Sequence, residues 1–221
     1  MTRTRTRTQQ TAAPVIDRGD AHAVFMTYWH VAGQEQGRAV LDEIADAWEG
    51  ASRPADVLSF SCYLSTGSDD FTAMTYAQCA HPDGYRPFIR ALPAQAARME
   101  PVEYRLHRSV PLAPETGPAA SVVIASFDVD GRERQEHIVS SVTENIEKSP
   151  RTDQRGLIAS HFHLSTDGTR VINFAEWTSD EEHIAFLEGA TRHRSLRLAT
   201  HTPGVRPIGF TRYHLYRAIG S

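Results

Sequence analysis

The sequence predicts an α+β protein: two tandem ferredoxin-like units, each ordered β-α-β-β-α-β, closing into a pseudo-dimeric α/β barrel within one chain. Three observations predict it. The chain is written twice, each copy alternates strand and helix periodicities in the same order, and a segment rich in Pro and small residues separates the copies. "HVAGQEQGRAVLDEI" from His30 parallels "DVDGRERQEHIVSSV" from Asp128, with Gly33 over Gly131. "CYLST" from Cys62 parallels "FHLST" from Phe162, and "TAMTYAQCAHPDGYRPFI" from Thr72 parallels "RVINFAEWTSDEEHIAFL" from Arg170. These blocks lie about 98 to 100 positions apart, and such self-similarity marks a duplicated structural unit. "EYRLHRSV" from Glu103 and "RYHLYRAI" from Arg212 lie 109 apart, which places a short insertion before the last strand of the second half.

Each element follows from its local pattern. "AVFMTYWHV" and "SVVIASFDV" are β-rich and open the two halves. Val40, Leu41, Ile44 and Trp48 recur at helical spacing, as do Ile138, Val139, Val142 and Ile146. "LIASHFHLSTDGTRVINFAEW" predicts a hairpin, with Asp167-Gly168 the signal for a two-residue type I′ turn. A helix is expected near Ser179, where Ser-Asp-Glu-Glu suits an N-cap and the positive end of the dipole. "FTRYHLYRAI" is the last strand, and "PLAPETGPAA" (Pro111 to Ala120) is the linker. The expected organisation is a disordered tail over 1–20, a first unit over 21–112 and a second over 119–221. One β-α-β-β-α-β unit covers only one face of its sheet with helices. Two copies in one chain can bury the other faces against each other.

The totals narrow the function. With 221 residues and 40% apolar content the chain can build a core, and its formal charge of -4 argues against a nucleic-acid footprint. "TRTRTRT" is too short to change that. Two cysteines make no disulfide framework. The basic, polar start lacks an apolar signal region, and no run approaches the roughly 18 apolar residues of a membrane span. A soluble cytoplasmic protein is the expectation.

Asn173 and Trp177 lie four apart on one strand, so both point to the same face. With a two-residue turn, Leu164 faces Val171, Phe162 faces Asn173, Ser160 faces Ala175 and Ile158 faces Trp177. That face is apolar and aromatic with a few polar groups, the lining a flat aromatic ligand wants. A core strand whose Trp packs and whose Asn bonds a carbonyl would read the same way. The first half carries Thr75 and Cys79 at the positions of Asn173 and Trp177, which suits an active second half and a degenerate first, or asymmetric drift of a structural repeat. The opposite face carries His161, His163 and Glu176, a metal-ligand pattern or a polar seam between sheets. No further ligand is fixed by sequence, so no metal is expected. No Gly-rich phosphate loop appears, and His183 and His193 do not match the spacing of an axial haem ligand.

"SHFHLSTDGTRVINFAEWTSDEE", followed by Arg197, resembles the antibiotic biosynthesis monooxygenases, most of all the small quinone-forming enzymes of aromatic polyketide pathways. The likeness runs from about Phe127 to Arg197, ungapped from the hairpin onward, and extends more faintly over most of residues 22–221. It implies a ferredoxin-like barrel that oxygenates phenolic or anthrone rings with O2 and no metal, haem or flavin. It places Asn173, Trp177 and Arg197 on the family's functional Asn, Trp and Arg, and His183 on a family tyrosine. Tyr85 is the tyrosine at the equivalent first-half position. The family's strand-one asparagine has no counterpart; Ala125 and Ser126 stand in its neighbourhood. Tandem-domain relatives that open an angucycline ring with reduced flavin make that the main alternative, with flavin a diffusible co-substrate; a non-catalytic polyketide-binding barrel is the other. The implied partners are an aromatic polyketide and O2, in a monomer with an internal pseudo-dimer or in a homodimer. In such a site Asn173 and the Trp177 N–H would donate to the substrate oxygen that gains charge, Arg197 would hold an enolate or peroxide, and His183 would accept the proton. Ile158, Ser160, Phe162, Leu164 and Val171 would line the substrate.

Overall fold

The computed structural model describes residues 13–50, 54–67, 71–92, 97–113 and 116–219. The first half runs β1 (Ala23–His30), α1 (Gln34–Gly50), β2 (Val57–Ser65), β3 (Thr72–Cys79), α2 (Tyr85–Ala91), a two-residue β4 (Ala97–Arg98) and β5 (Val102–Pro111). The second runs β6 (Ser121–Val129), α3 (Arg132–Lys148), a 3-10 turn (Arg151–Gln154), β7 (Leu157–Ser165), β8 (Arg170–Trp177), α4 (Asp180–Leu187), α5 (Ala190–His201) and β9 (Val205–Ile219). The insertion before the last strand is the second helix, α5.

All strand pairs are antiparallel, in the order β3-β2-β9-β6-β8-β7-β5-β1, and β1 pairs with β3 to close an eight-stranded barrel. Closure leaves no free edge among these eight strands. The last strand of each half pairs with the second strand of the other, β5 with β7 and β9 with β2. Alternation along the strands separates two environments. Val24, Met26, Tyr76, Tyr104, Val122, Ile124, Ile172, Phe174 and Tyr213 fill the barrel interior. Ala23 and Phe25 point outward onto Leu41, Ile44 and Trp48 of α1, and Phe162, Leu164 and Val171 onto Ile138, Val139 and Val142 of α3.

The hairpin register holds where expected: Leu164 pairs with Val171, Phe162 with Asn173 and Ser160 with Ala175. The turn is different. Among the described residues no non-glycine has positive φ, so Asp167 cannot occupy a type I′ turn; of the turn residues only Gly168 is left-handed, at φ 80°. Instead Gly168 N–H bonds the Ser165 carbonyl, and the Asp167 carboxylate accepts from the Ser165 hydroxyl and the Thr169 N–H. This Asx-type turn makes a four-residue loop. A two-residue and a four-residue loop differ by an even number, so the facing pairs are unchanged.

Further along, Leu157 rather than Ile158 pairs with Trp177, because Ile158 is the extra residue of a β-bulge. Its carbonyl accepts the N–H groups of Leu112 and Ala113 at 2.8 and 2.9 Å, so the linker holds the bulge. The expected tail is also shorter than 1–20. Residues 1–12 lie outside the described residues, but Ile16 is buried, and Gln78 Nε2 donates to the carbonyls of Val15 and Ile16. Among the described residues no helix is long and apolar enough to cross a membrane.

Candidate functional site

A partly open cavity of about 120 Å³ lies outside the barrel between the second-half sheet and α3, α4 and α5. Its floor is β6 and β8, with Val123, Ala125, Asn173, Ala175 and Trp177; Val142 and Ile146 of α3 form one wall. Leu196 of α5 and Phe210 of β9 border it, both more than a third exposed.

The same region of the first half is filled. There Thr27 pairs with Thr75, where the second half pairs Ala125 with Asn173. The Tyr85 hydroxyl bonds both threonines, at 3.1 and 3.2 Å. Phe25, standing where Val123 stands, stacks on Tyr85 with ring centroids 4.7 Å apart, and Trp48 stacks on Phe60 at 4.6 Å. The second half has Ile146 and Ser160 in place of Trp48 and Phe60. One fold thus carries a packed version and a hollow version, and exchange of large aromatic residues for small ones makes the difference.

The hollow version leaves polar atoms without partners. Ser160 Oγ, Asn173 Oδ1 and Trp177 Nε1 are buried and make no hydrogen bond among the described residues. All three residues line the cavity. A buried polar group left unpaired costs about 1–3 kcal/mol; Trp48 Nε1 and Ser61 Oγ of the packed first half are unpaired too, and what sets these three apart is that their residues border a cavity. Asn173 and Trp177 are roughly 13 Å apart along the strand, from the rise per residue, and Ser160 sits beside Ala175 between them. The polar groups therefore form a row suited to an elongated flat molecule.

The cations are not where the spacing placed them. Arg197 is exposed on the outer side of α5, beside Asn145, Arg194 and His201 and away from the cavity. Arg192 lines the cavity instead. It has no hydrogen-bond or ion-pair partner among the described residues, and burial alone lowers its pKa. The helix breaks at Gly189, between α4 and α5, so an ungapped count from Trp177 runs past the inward-facing arginine. The signal was available: Arg192, Ser195, Leu196 and Ala199 share an i, i+3, i+4, i+7 stripe, and Arg197 lies off it.

His183 lines the cavity, with its ring 5.1 Å from those of Trp177 and Phe210. Its Nδ1 receives hydrogen bonds from Arg212, at 3.3 Å from Nε and 3.0 Å from an Nη. Burial and then the Arg212 charge push its pKa down to about 4. The ring is neutral at pH 7 with Nδ1 occupied, so it does not fit the expected role of proton acceptor. Of the residues expected to line the substrate, Ser160 does so. Phe162, Leu164 and Val171 share the correct face but lie under α3 in the core, and Ile158 is displaced by the bulge. Leu157, Phe186, Leu187 and Phe210 are lining residues that sequence reasoning missed.

The His-x-His face is a polar seam. The Tyr76 hydroxyl bonds His163 Nε2 at 3.0 Å, while His161 bridges Ser109 at 2.8 Å and Glu176 at 3.0 Å. Among the described residues no three His, Cys, Asp or Glu side chains converge as a metal-ligand set.

No family model matches the chain. Over 77 residues, 35% of the chain, it is 33% identical to the tetracenomycin-F1 monooxygenase of Streptomyces glaucescens, and it spans 59% of that protein's length. An anthrone oxidase-like protein of known structure superposes with a TM-score of 0.65 at 14% identity, covering 91% of this chain and 94% of the other. A monooxygenase-like protein of Listeria innocua superposes with a TM-score of 0.51 at 12% identity, covering 88% and 94%. At these identities the two structures establish a shared fold.

Proposed function

We propose that the protein is an oxygenase that uses O2 to oxidise a polycyclic aromatic polyketide of phenol or anthrone type, without metal or haem. The observation that carries the proposal is the row of unpartnered buried polar atoms, Asn173 Oδ1, Ser160 Oγ and Trp177 Nε1, along a largely apolar slot. The local likeness to a tetracenomycin-F1 monooxygenase supports the same reading. We also propose that the two halves are tandem units forming an internal pseudo-dimer, in which the first has lost its cavity to Phe25, Trp48, Phe60 and Tyr85.

An electron-rich phenolate or carbanion can pass an electron to O2 itself. The protein then has to favour the ionised ligand and hold it. The cavity is suited to both, because its lining includes a cation, Arg192, and no carboxylate. Trp177 N–H donates to the oxygen that gains charge, and one such donor contributes on the order of 2–4 kcal/mol to the barrier. With an anthrone, the ring carbon gains one oxygen as a carbonyl; its two hydrogens leave with the second oxygen as water. No lining residue takes the role of base, so the first proton leaves to water at the mouth.

The test is O2 uptake by the purified protein with an anthrone or a hydroxylated angucyclinone, with and without reduced flavin. Uptake without flavin is expected. Uptake only with reduced flavin would replace this reading by ring-opening chemistry. Tight binding without uptake would make the protein a polyketide-binding barrel.

A further inference from the structure

Arg212 has no part in the proposal above, yet it contacts the one titratable ring in the cavity lining. A guanidinium donates and never accepts. Both of its contacts to His183 end on Nδ1, so Nδ1 is the acceptor and the ring proton sits on Nε2. Nε2 has no protein partner among the described residues, and the ring borders the cavity. Arg212 is itself held, with Nε 3.7 Å from Asp180 Oδ1, and His214 Nε2 lies 3.1 Å from the same carboxylate oxygen. The charged groups that act on His183 are Arg212 from β9, Asp180 from α4 and Arg192 from α5. Two cations against one carboxylate disfavour a second proton on the ring. The first half has no such device: Tyr85, at the equivalent place, spends its hydroxyl on Thr27 and Thr75.

We infer that Arg212 is a positioning residue that fixes His183 as the neutral Nε2–H tautomer, making it a hydrogen-bond donor to the ligand. The cavity then presents three donors, His183, Trp177 and Arg192, and selects ligands that offer an acceptor oxygen at that end: a carbonyl, phenolate or enolate. This selection rests on the cavity being a ligand site; the tautomer does not.

The experiment uses the full chain labelled with nitrogen-15 histidine, with His183 assigned by a His183→Phe variant. Ring nitrogen shifts are read at pH 7 and at pH 5. Binding of 1,8-dihydroxyanthraquinone, a non-reacting coloured probe, is followed by its absorbance. The wild type is expected to show a neutral Nε2–H ring at both pH values. Arg212→Met should give a mixed, titrating ring and weaken probe binding about tenfold, with a new pH dependence. Arg212→Lys, which keeps a cationic donor, should restore the tautomer and most of the affinity. A wild-type ring protonated on Nδ1 at pH 7 would overturn the inference, and that readout needs no variant to fold. So would an Arg212→Met ring unchanged from wild type. If the tautomer responds as expected but no form binds the probe, the positioning role stands and the ligand reading falls.

Discussion

Trp177→Phe separates a ligand site from a packing role. In the folded protein the Trp177 indole is buried and its N–H has no partner. Leaving such a donor unpaired costs about 1–3 kcal/mol. Phenylalanine removes the orphan donor and keeps an aromatic ring near Phe186 and His183, whose rings each lie 5.1 Å from the indole. It also loses some 40 Å² of buried apolar surface, about 1 kcal/mol at 25 cal/mol per Å². The two effects oppose each other, so folding stability should stay within about 1 kcal/mol of wild type or rise slightly. Activity should not be spared. Loss of one donor to a developing negative charge lowers turnover by on the order of 10²- to 10³-fold. Urea unfolding and O2 uptake, measured on the same preparation, read the two quantities. A variant destabilised by more than about 2 kcal/mol with undiminished turnover would refute the reasoning, because Trp177 would then be a core residue.

Three other outcomes are expected. Val123→Phe copies Phe25 into the second half; it should fill the slot, abolish probe binding and stabilise the fold by roughly 1 kcal/mol through added apolar burial, as read by titration and urea unfolding. Arg192→Gln should weaken binding of an anionic ligand at least about tenfold, or about 1.4 kcal/mol, while Arg197→Gln changes it less than about twofold; equal losses in a binding titration would return Arg197 to the site. Burial pushes His163 down to about 3, and burial with Arg212 pushes His183 to about 4, both below the usual 6.5. Between those values and 6.5 the unfolded chain binds more protons than the folded one. The stabilising contribution is therefore complete above about pH 6.5 and is lost as pH falls, at up to about 1.4 kcal/mol per pH unit for each ring. Urea midpoints from pH 7 to pH 4 check this, and a flat profile would contradict it.

The β-α-β-β-α-β order of the main elements, the register of the β7–β8 hairpin from Leu164 back to Ser160 and the face that carries Asn173, Ser160 and Trp177 were legible in the chain. Those features depend on period-two and helical repetition and on loop parity, which are local. Thr75 and Cys79 likewise marked a first half unlike the second. Which of the two matching faces is hollow depends on contacts between distant residues. Phe162, Leu164 and Val171 share the site's face, but α3 crosses over them, and no local pattern encodes that crossing. Ile158 left the face because N–H groups of the linker hold its carbonyl in a bulge, and Arg192 took the place expected of Arg197 because the helix breaks at Gly189. The protonation state of His183 was beyond any reading of its neighbours along the chain. Burial lowers its pKa first and the Arg212 charge second, and its tautomer follows the hydrogen bonds it receives from Arg212, a residue 29 positions away on another element.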